Sequence, residues 1–236
     1  MKARFFVEFL LTALVMKIAG EFVHEVMGHG LFVLLFGGRI IQVYISILWP
    51  YDLSYIRWSG DFESWQTIWI EGGGILICVI VSIILQALLL LNVTKDSRWM
   101  IPLFWLAFWT FLNPAGYLIV GGISPFGDIA ALIAKGVLTR TSSIILGLAV
   151  FLGSFISISK SLCNVLRGAD IIKKSRGLRL SLCLFWLIIP AVTFAYCFKT
   201  SRLFHCIGTA GALSFLPALV AFISAMLFIQ SPDELK

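Results

Sequence analysis

The chain has 236 residues, of which 60% are hydrophobic and 13% are charged, and this composition excludes an ordinary soluble domain and predicts an integral membrane protein. The net charge of +6 comes from basic residues that gather between hydrophobic runs, as the positive-inside rule describes, so no nucleic acid partner is expected. Five cysteines stand singly without a CxxC pair, which indicates neither a disulfide framework nor a thiolate zinc site but small packing residues.

Apolar stretches long enough to cross a hydrocarbon core recur along the chain. Only helices and closed barrels satisfy the backbone in lipid, so each stretch is predicted to be a transmembrane helix. The expected fold class is an all-α polytopic membrane protein, multi-pass in the cell membrane and in contact with the lipid bilayer. The six predicted helices cover residues 4–36, 66–92, 99–121, 143–159, 180–198 and 206–230.

The segment between the first two predicted helices has the composition of a strand, a turn and a second strand. It opens with Gly37-Gly38 and continues with β-branched and aromatic residues around Pro50, which predicts a small β-hairpin over residues 39–58 at the membrane edge. The later loop 159–179 is strongly basic and is predicted to be cytosolic. With six helices, both chain termini would then lie in the cytosol.

The first apolar stretch contains the sequence HEVMGH, with His24, Glu25 and His29. It is close to the HExxH motif, in which two histidines one helical turn apart hold zinc and the glutamate serves as general base. Here the second histidine comes one residue late, and an i,i+5 pair is separated by about 140° around a regular α-helix. A wide π turn, or a loosening at Gly28, is therefore needed to turn both rings toward one metal. Intramembrane ionisable groups by default mark function, although the alternative is that the histidines are core residues and that Glu21 only neutralises Lys17.

A zinc site for hydrolysis needs a third protein ligand. The best candidate is Asp128 in the stretch FLNPAGYLIVGGISPFGDIAAL, followed by Glu71 and then Glu21. In the same stretch, Asn113-Pro114 is predicted to interrupt the helix and to expose backbone that binds an extended peptide. The alternatives are that Asp128 is only the N-cap of a helix over 129–138 and that Asn113 is a turn or capping residue.

The order of these motifs resembles the site-2 protease family of intramembrane zinc metalloproteases, and the stretched spacing is similar to the HExxGH motif of the dipeptidyl peptidase III family. The site-2 family joins a membrane HExxH helix, a Gly-Gly and hairpin, a Gly-rich helix, and a later motif whose aspartate completes the zinc site. That aspartate stands immediately before a glycine in the family, whereas Asp128 follows Gly127. The matching elements here are His24-Glu25-His29, Gly37-Gly38-Arg39, Glu71-Gly72-Gly73-Gly74 and Asn113-Pro114 through Asp128.

The resemblance implies a metalloprotease-like membrane core over residues 1–135, with additional transmembrane helices over 136–236. It also implies that the chain is a zinc metalloprotease which hydrolyses peptide bonds within or next to a transmembrane helix of a membrane-protein substrate. His24, His29 and Asp128 would hold Zn²⁺, Glu25 would act as general base, and Asn113 would bind the substrate backbone.

Two other functions stay open at this point. The first is a non-catalytic membrane protein of the same fold that binds a partner helix. The second is a transporter or channel whose polar path is formed by Lys17, Glu21, Glu71 and the histidines, although no inverted pair of broken helices is visible in the sequence.

Overall fold

The computed structural model describes residues 2–47, 53–91, 97–169, 175–192, 216, 218–221 and 223. These residues are mostly helical and include one small antiparallel sheet. In chain order the elements are α1 (Lys2–Phe22), a π-helical turn (Val23–Gly30), α2 (Leu31–Leu35), β1 (Arg39–Tyr44), β2 (Tyr55–Ser59), α3 (Ser64–Leu90), α4 (Ser97–Ile123), α5 (Gly127–Ala134), α6 (Arg140–Gly168) and α7 (Ser175–Trp186).

The described residues belong to two compact units. One lies within Met1–Ile47 and Ser54–Ser161, and the other lies within Leu48–Leu53 and Leu162–Lys236. Every residue of the candidate site is in the first unit. The predicted division into a core over 1–135 and additional helices over 136–236 is a statement about function, which compactness does not test, and it stays a prediction.

Three helices of the chain, within its described part, are long and apolar enough to cross a membrane: Ser64–Leu90, Trp99–Ile123 and Arg140–Gly168. They correspond to the second, third and fourth predicted spans. The prediction of six spans is not supported. The first stretch is helical, but its helix α1 contains Lys17 and Glu21; the fifth coincides with a shorter apolar helix, Gly177–Val192; and the sixth, over 206–230, falls mainly outside the described residues.

Aromatic and small side chains hold α1 against α4. The ring of Phe9 lies 4.8 Å from that of Trp105, and Trp109 Nε1 donates a 2.9 Å hydrogen bond to the carbonyl oxygen of Ala13. Gly20 lets the two backbones come close, because a Cβ at this position would lie 3.2 Å from the Cβ of Trp109. Small residues at such contacts are the usual means by which apolar helices pack closely.

The predicted hairpin is confirmed. β1 and β2 pair antiparallel, with Arg39 opposite Ser59 and Tyr44 opposite Tyr55, and the register shifts between Ile40 and Gln42 as in a β-bulge. The prediction that the hairpin lies at the membrane edge is untested, and the predicted turn around Pro50 lies outside the described residues.

The predicted interruption at Asn113-Pro114 is wrong, because α4 continues through Pro114 to Ile123. Proline removes one backbone hydrogen bond from a helix interior without necessarily ending the helix, and neighbouring groups in a membrane bundle compensate for the loss. Asn113 is therefore a mid-helix residue, and neither a turn nor a helix cap explains it.

A polar cluster lies between α3 and α6, away from the candidate site. The amide nitrogen of Gln86 donates to Ser82 Oγ at 2.8 Å and to Ser154 Oγ at 3.1 Å, and its carbonyl oxygen accepts a hydrogen bond from Ser157. Ser82 in turn donates to the carbonyl oxygen of Ala107 in α4 at 2.9 Å. This cluster joins three long helices through hydrogen bonds in an apolar setting.

Candidate metal centre

The wide turn that the histidine spacing requires is present. Residues Val23–Gly30 are π-helical, and the α-helix continues on both sides of them. A π turn has one more residue than an α turn, so positions five apart come to lie on the same face. His24 and His29 accordingly project together, with their ring centroids 4.9 Å apart, and the prediction of a π widening near Gly28 is confirmed.

Three side-chain atoms meet at the wide turn, and their spacing is that of a metal site. The Nε2 atoms of His24 and His29 lie 3.3 Å apart, and Asp128 Oδ2 is 3.2 Å from the first and 3.4 Å from the second. A tetrahedral zinc ion with bonds of about 2.0–2.1 Å requires ligand atoms separated by about 3.3 Å. Among the described residues, this is the group of histidine, cysteine and acidic side chains that could hold a metal ion, and its donor set fits Zn²⁺.

Asp128 reaches the histidines because a small apolar cluster anchors α5. Ile129, the next residue, is fully buried and packs with Leu132 and with Leu118 of α4. Burial by itself raises the pKa of the Asp128 carboxyl, but its hydrogen-bonding and electrostatic contacts with the His24 and His29 rings outweigh burial and hold that pKa well below its ordinary value. The group is therefore an ionised carboxylate, the form that binds a metal.

The alternative assignment of Asp128 as a helix N-cap is wrong. α5 begins at Gly127, its N-cap residue is Phe126, and no side chain caps the helix. Asp128 lies within the first turn, and its carboxylate is directed to the two histidines instead.

The second nitrogen of each histidine has its own partner. His29 Nδ1–H donates a 2.7 Å hydrogen bond to the carbonyl oxygen of Ile70 in α3, which leaves Nε2 as the ligand atom. His24 Nδ1 lies 3.9 Å from Cys78 Sγ, also in α3. Both rings are almost fully buried, with exposed fractions of 1% for His24 and 3% for His29, so their orientation is fixed by packing as well as by these contacts.

Glycines bring α3 against the wide turn. A Cβ on Gly28 would lie 2.4 Å from the Cα of Gly74, and a Cβ on Gly74 would lie 2.7 Å from the Nε2 atoms of both His24 and His29. The two backbones are therefore in direct contact, and the face of Gly74 forms a cradle beneath the ligand atoms. Gly74, and the preceding Gly73 whose Cβ would lie 2.9 Å from the carbonyl oxygen of Gly28, therefore have a steric function in the site.

Two aromatic rings complete the walls of the site. Tyr117 of α4 lies 5.3 Å from the His24 ring, and Trp58 of β2 is stacked on the His29 ring at 6.2 Å with an interplanar angle of 19°. The hairpin is held here because Ile40 and Ile56 both pack against Gly30 at the end of the wide turn. The sheet thus borders the candidate centre directly.

The other predicted site residues have distinct positions. Glu25 lies in the wide turn, is only 5% exposed, and has both histidines and Asp128 as electrostatic neighbours. Asn113 donates its amide Nδ2–H to Glu21 Oε1 at 3.3 Å, one helical turn from the metal-ligand group. Glu21 also pairs with Lys17, as the alternative for this residue predicted. Glu71 is half-buried in α3 and is not a member of the three-ligand group.

Three residues of the site were not predicted from the sequence. Cys78 was assigned to packing alone, and Trp58 and Tyr117 were not singled out. The four-residue step from Gly74 to Cys78 places both on one face of α3, and this was the available signal for Cys78. Trp58 and Tyr117 have no such local signal, because their contacts are made between elements distant in sequence.

Comparison of the chain with protein-family models, with curated proteins and with solved structures finds no match. The resemblance to site-2 proteases depends on motif order alone, and it stays a prediction.

Proposed function

We propose that the chain is an intramembrane zinc metalloprotease of the site-2 protease type, which hydrolyses peptide bonds within or beside transmembrane segments of membrane proteins. One observation carries the proposal: three ligand atoms from His24, His29 and Asp128 form a triangle with edges of 3.2–3.4 Å, with the carboxylate of Glu25 on the same wide turn. Structural zinc sites usually have four protein ligands, whereas catalytic sites have three and leave one position for water.

The residues of this site have separate tasks in the proposed hydrolysis. His24, His29 and Asp128 would hold Zn²⁺, which when bound acidifies water and polarises the scissile carbonyl. Glu25 accepts a proton from the attacking water and delivers it to the leaving amine nitrogen as the carbon–nitrogen bond breaks. The burial of Glu25 and of both histidines keeps bulk water away from these groups, which strengthens their electrostatic interactions.

The hairpin supports an extended substrate rather than a helical one. β1 and β2 pair only with each other among the described strands, so each has an outer edge whose backbone groups can pair with an added strand. Because Trp58 of β2 is stacked on His29, a segment added to the sheet would run beside the ligand atoms. Local unwinding of the substrate helix would expose the carbonyl that hydrolysis requires.

The surface of α1 favours a further membrane crossing by the first helical segment, in addition to the three long apolar helices. One side of α1 is a continuous row of exposed large hydrophobic side chains, a surface suited to lipid. The charged pair Lys17 and Glu21 is buried on the other side, with exposed side-chain fractions of 12% and 6%. The exposed row consists of Phe6, Val7, Leu10, Leu11, Leu14, Val15, Ile18 and Phe22.

Metal analysis of the purified full chain tests the proposal together with a reporter assay. We expect about one zinc per chain in the wild type and in Glu25→Gln, and a loss of zinc in His24→Ala and His29→Ala. Tagged single-pass membrane reporters, co-expressed as a panel, should include some that the wild type cleaves and Glu25→Gln does not. A metal-free wild type, or undiminished cleavage by Glu25→Gln, would contradict the proposal. Zinc binding without cleavage of any reporter would favour the non-catalytic alternative.

A further inference from the structure

A row of hydrogen-bonded polar side chains links α1 to α4, and on the first helical segment it lies about one turn before His24. Lys17 and Glu21, four residues apart on α1, form an ion pair. Asn113 of α4 donates its Nδ2–H to the same oxygen of Glu21, Oε1, at 3.3 Å. These three polar side chains are adjacent to the site, since Glu21 is three residues before His24 and Asn113 is one turn before Tyr117, whose ring contacts that histidine.

The other end of the Asn113 amide is unsatisfied. Its Oδ1 is buried and meets no hydrogen-bond donor among the described residues. Buried polar atoms are nearly always paired, and an exception calls for a ligand, a water molecule or a functional reason. Asn113 therefore presents a free acceptor in an apolar environment, where a hydrogen bond is worth more than in water.

Glu21 determines which end of the amide is presented. An ionised carboxylate only accepts hydrogen bonds, so the amide must turn its NH₂ group toward Glu21 and its oxygen away. Lys17 supplies the compensating positive charge for this buried carboxylate. If residue 21 were a neutral amide, it could donate or accept, and Asn113 would be free to flip.

We propose that Glu21, paired with Lys17, is a positioning residue that fixes the Asn113 amide so that its oxygen accepts a hydrogen bond from a backbone N–H of the bound peptide. This inference rests on the proposed function and adds a recognition rule to it. Peptide backbone has an N–H at every residue except proline, so a fixed acceptor recognises an unwound segment without reading its side chains. An unwound segment has also lost its internal partners for these N–H groups, and the acceptor replaces one of them.

Two zinc-binding probes separate this role from the integrity of the metal site. Acetohydroxamate binds the metal alone, whereas a peptidyl hydroxamate binds the metal and also carries backbone N–H groups. The zinc-loaded full chain in detergent is titrated with each probe by calorimetry, as wild type, Glu21→Gln, Asn113→Asp and the double variant. The control is Glu8→Gln, which removes a carboxylate from the same helix at an exposed position paired with Arg4.

Both single variants should weaken peptidyl hydroxamate binding by about tenfold, the effect of losing one well-placed hydrogen bond, and should leave acetohydroxamate binding unchanged. In Asn113→Asp the new carboxylate is repelled by Glu21 and turns away, so its oxygens no longer face the peptide. The double variant should recover to within about threefold of wild type. In it, the amide introduced at position 21 can donate to the carboxylate introduced at position 113, whose second oxygen is then presented to the peptide. Glu8→Gln should bind both probes as the wild type does.

Unchanged peptidyl hydroxamate binding in the single variants would overturn the inference, and so would a double variant as weak as the singles. An equal loss for both probes would also overturn it, because Glu21 and Asn113 would then support the metal site itself. A wild type that binds neither probe would refute the proposed function, and the inference would fail with it.

Discussion

Gly74→Ala is the substitution for which the structure gives the sharpest expectation. A Cβ at residue 74 would lie 2.7 Å from Nε2 of His24 and of His29, whereas ordinary van der Waals contact begins at 3.4 Å. The methyl group thus needs about 0.7 Å more room, while metal–ligand distances tolerate deviations of only about 0.2 Å. Relief by bending the backbone is restricted because Gly28 is already in contact with Gly74. Both imidazoles must therefore leave the ligand triangle.

Displacing two of three ligands should lower the affinity for zinc at least a hundredfold, or by about 2.7 kcal/mol. The measurement is a competition titration with a chromophoric chelator, supported by the visible absorption spectrum of the cobalt-substituted protein. Gly72→Ala is the matched control, because a Cβ at that position meets nothing within 4 Å and alanine in a helix is favoured over glycine by about 1 kcal/mol. Equal zinc affinity in Gly74→Ala and Gly72→Ala would refute the ligand geometry.

Asp128→Asn should reduce zinc affinity at least a hundredfold, because Asp128, unlike Glu71, is within 3.4 Å of both histidine nitrogens. Glu71→Gln should leave the affinity within about threefold of wild type. If the same titration shows the larger loss in Glu71→Gln, Glu71 is the third ligand. Gln86→Leu should lower the free energy of unfolding by about 1–2 kcal/mol, because two side-chain hydrogen bonds between α3 and α6 and one within α3 are lost. Unfolding in a denaturing detergent measures this, with Ile83→Leu at an exposed position of α3 as control, and equal stability of the two variants would contradict a structural role for the cluster.

The ligand pair was predictable because its constraint is local. Two histidines five residues apart cannot face one metal on a regular helix, so the sequence predicted either a wide π turn or a local loosening at Gly28, and the first of these forms over Val23–Gly30. Asp128 was selected from motif order, and its contact with His24 across 104 residues could not have been derived from periodicity. Which acidic residue completes a site depends on how α5 packs, and Leu118 and Ile129 decide that packing without any chemical signature of their own.

The errors have physical causes as well. Pro114 was expected to interrupt a helix because proline breaks the helical hydrogen-bond ladder, but α4 continues through it, since membrane helices accommodate a missing hydrogen bond more readily than a break. The count of six spans followed from hydropathy alone. Hydropathy does not show how much of an apolar stretch forms one long helix, and within its described part the fifth stretch is the shorter apolar helix Gly177–Val192.

The backbone stays helical at both irregular positions near the site, the π turn Val23–Gly30 and Pro114 in α4. This continuity determines how the site is built. A loop in lipid would leave N–H and C=O groups without partners, whereas the π turn redirects two side chains while the chain stays helical from Lys2 to Leu35. Because α1 and α4 both continue, their contacts follow in register: Trp109 on Ala13, Asn113 on Glu21, and Tyr117 on His24. On α4 the contacting residues Trp109, Asn113 and Tyr117 thus follow one another at intervals of one helical turn. Asp128 alone enters from beyond the end of α4, so the last ligand is held by a short segment whose packing can be altered independently of the two histidines.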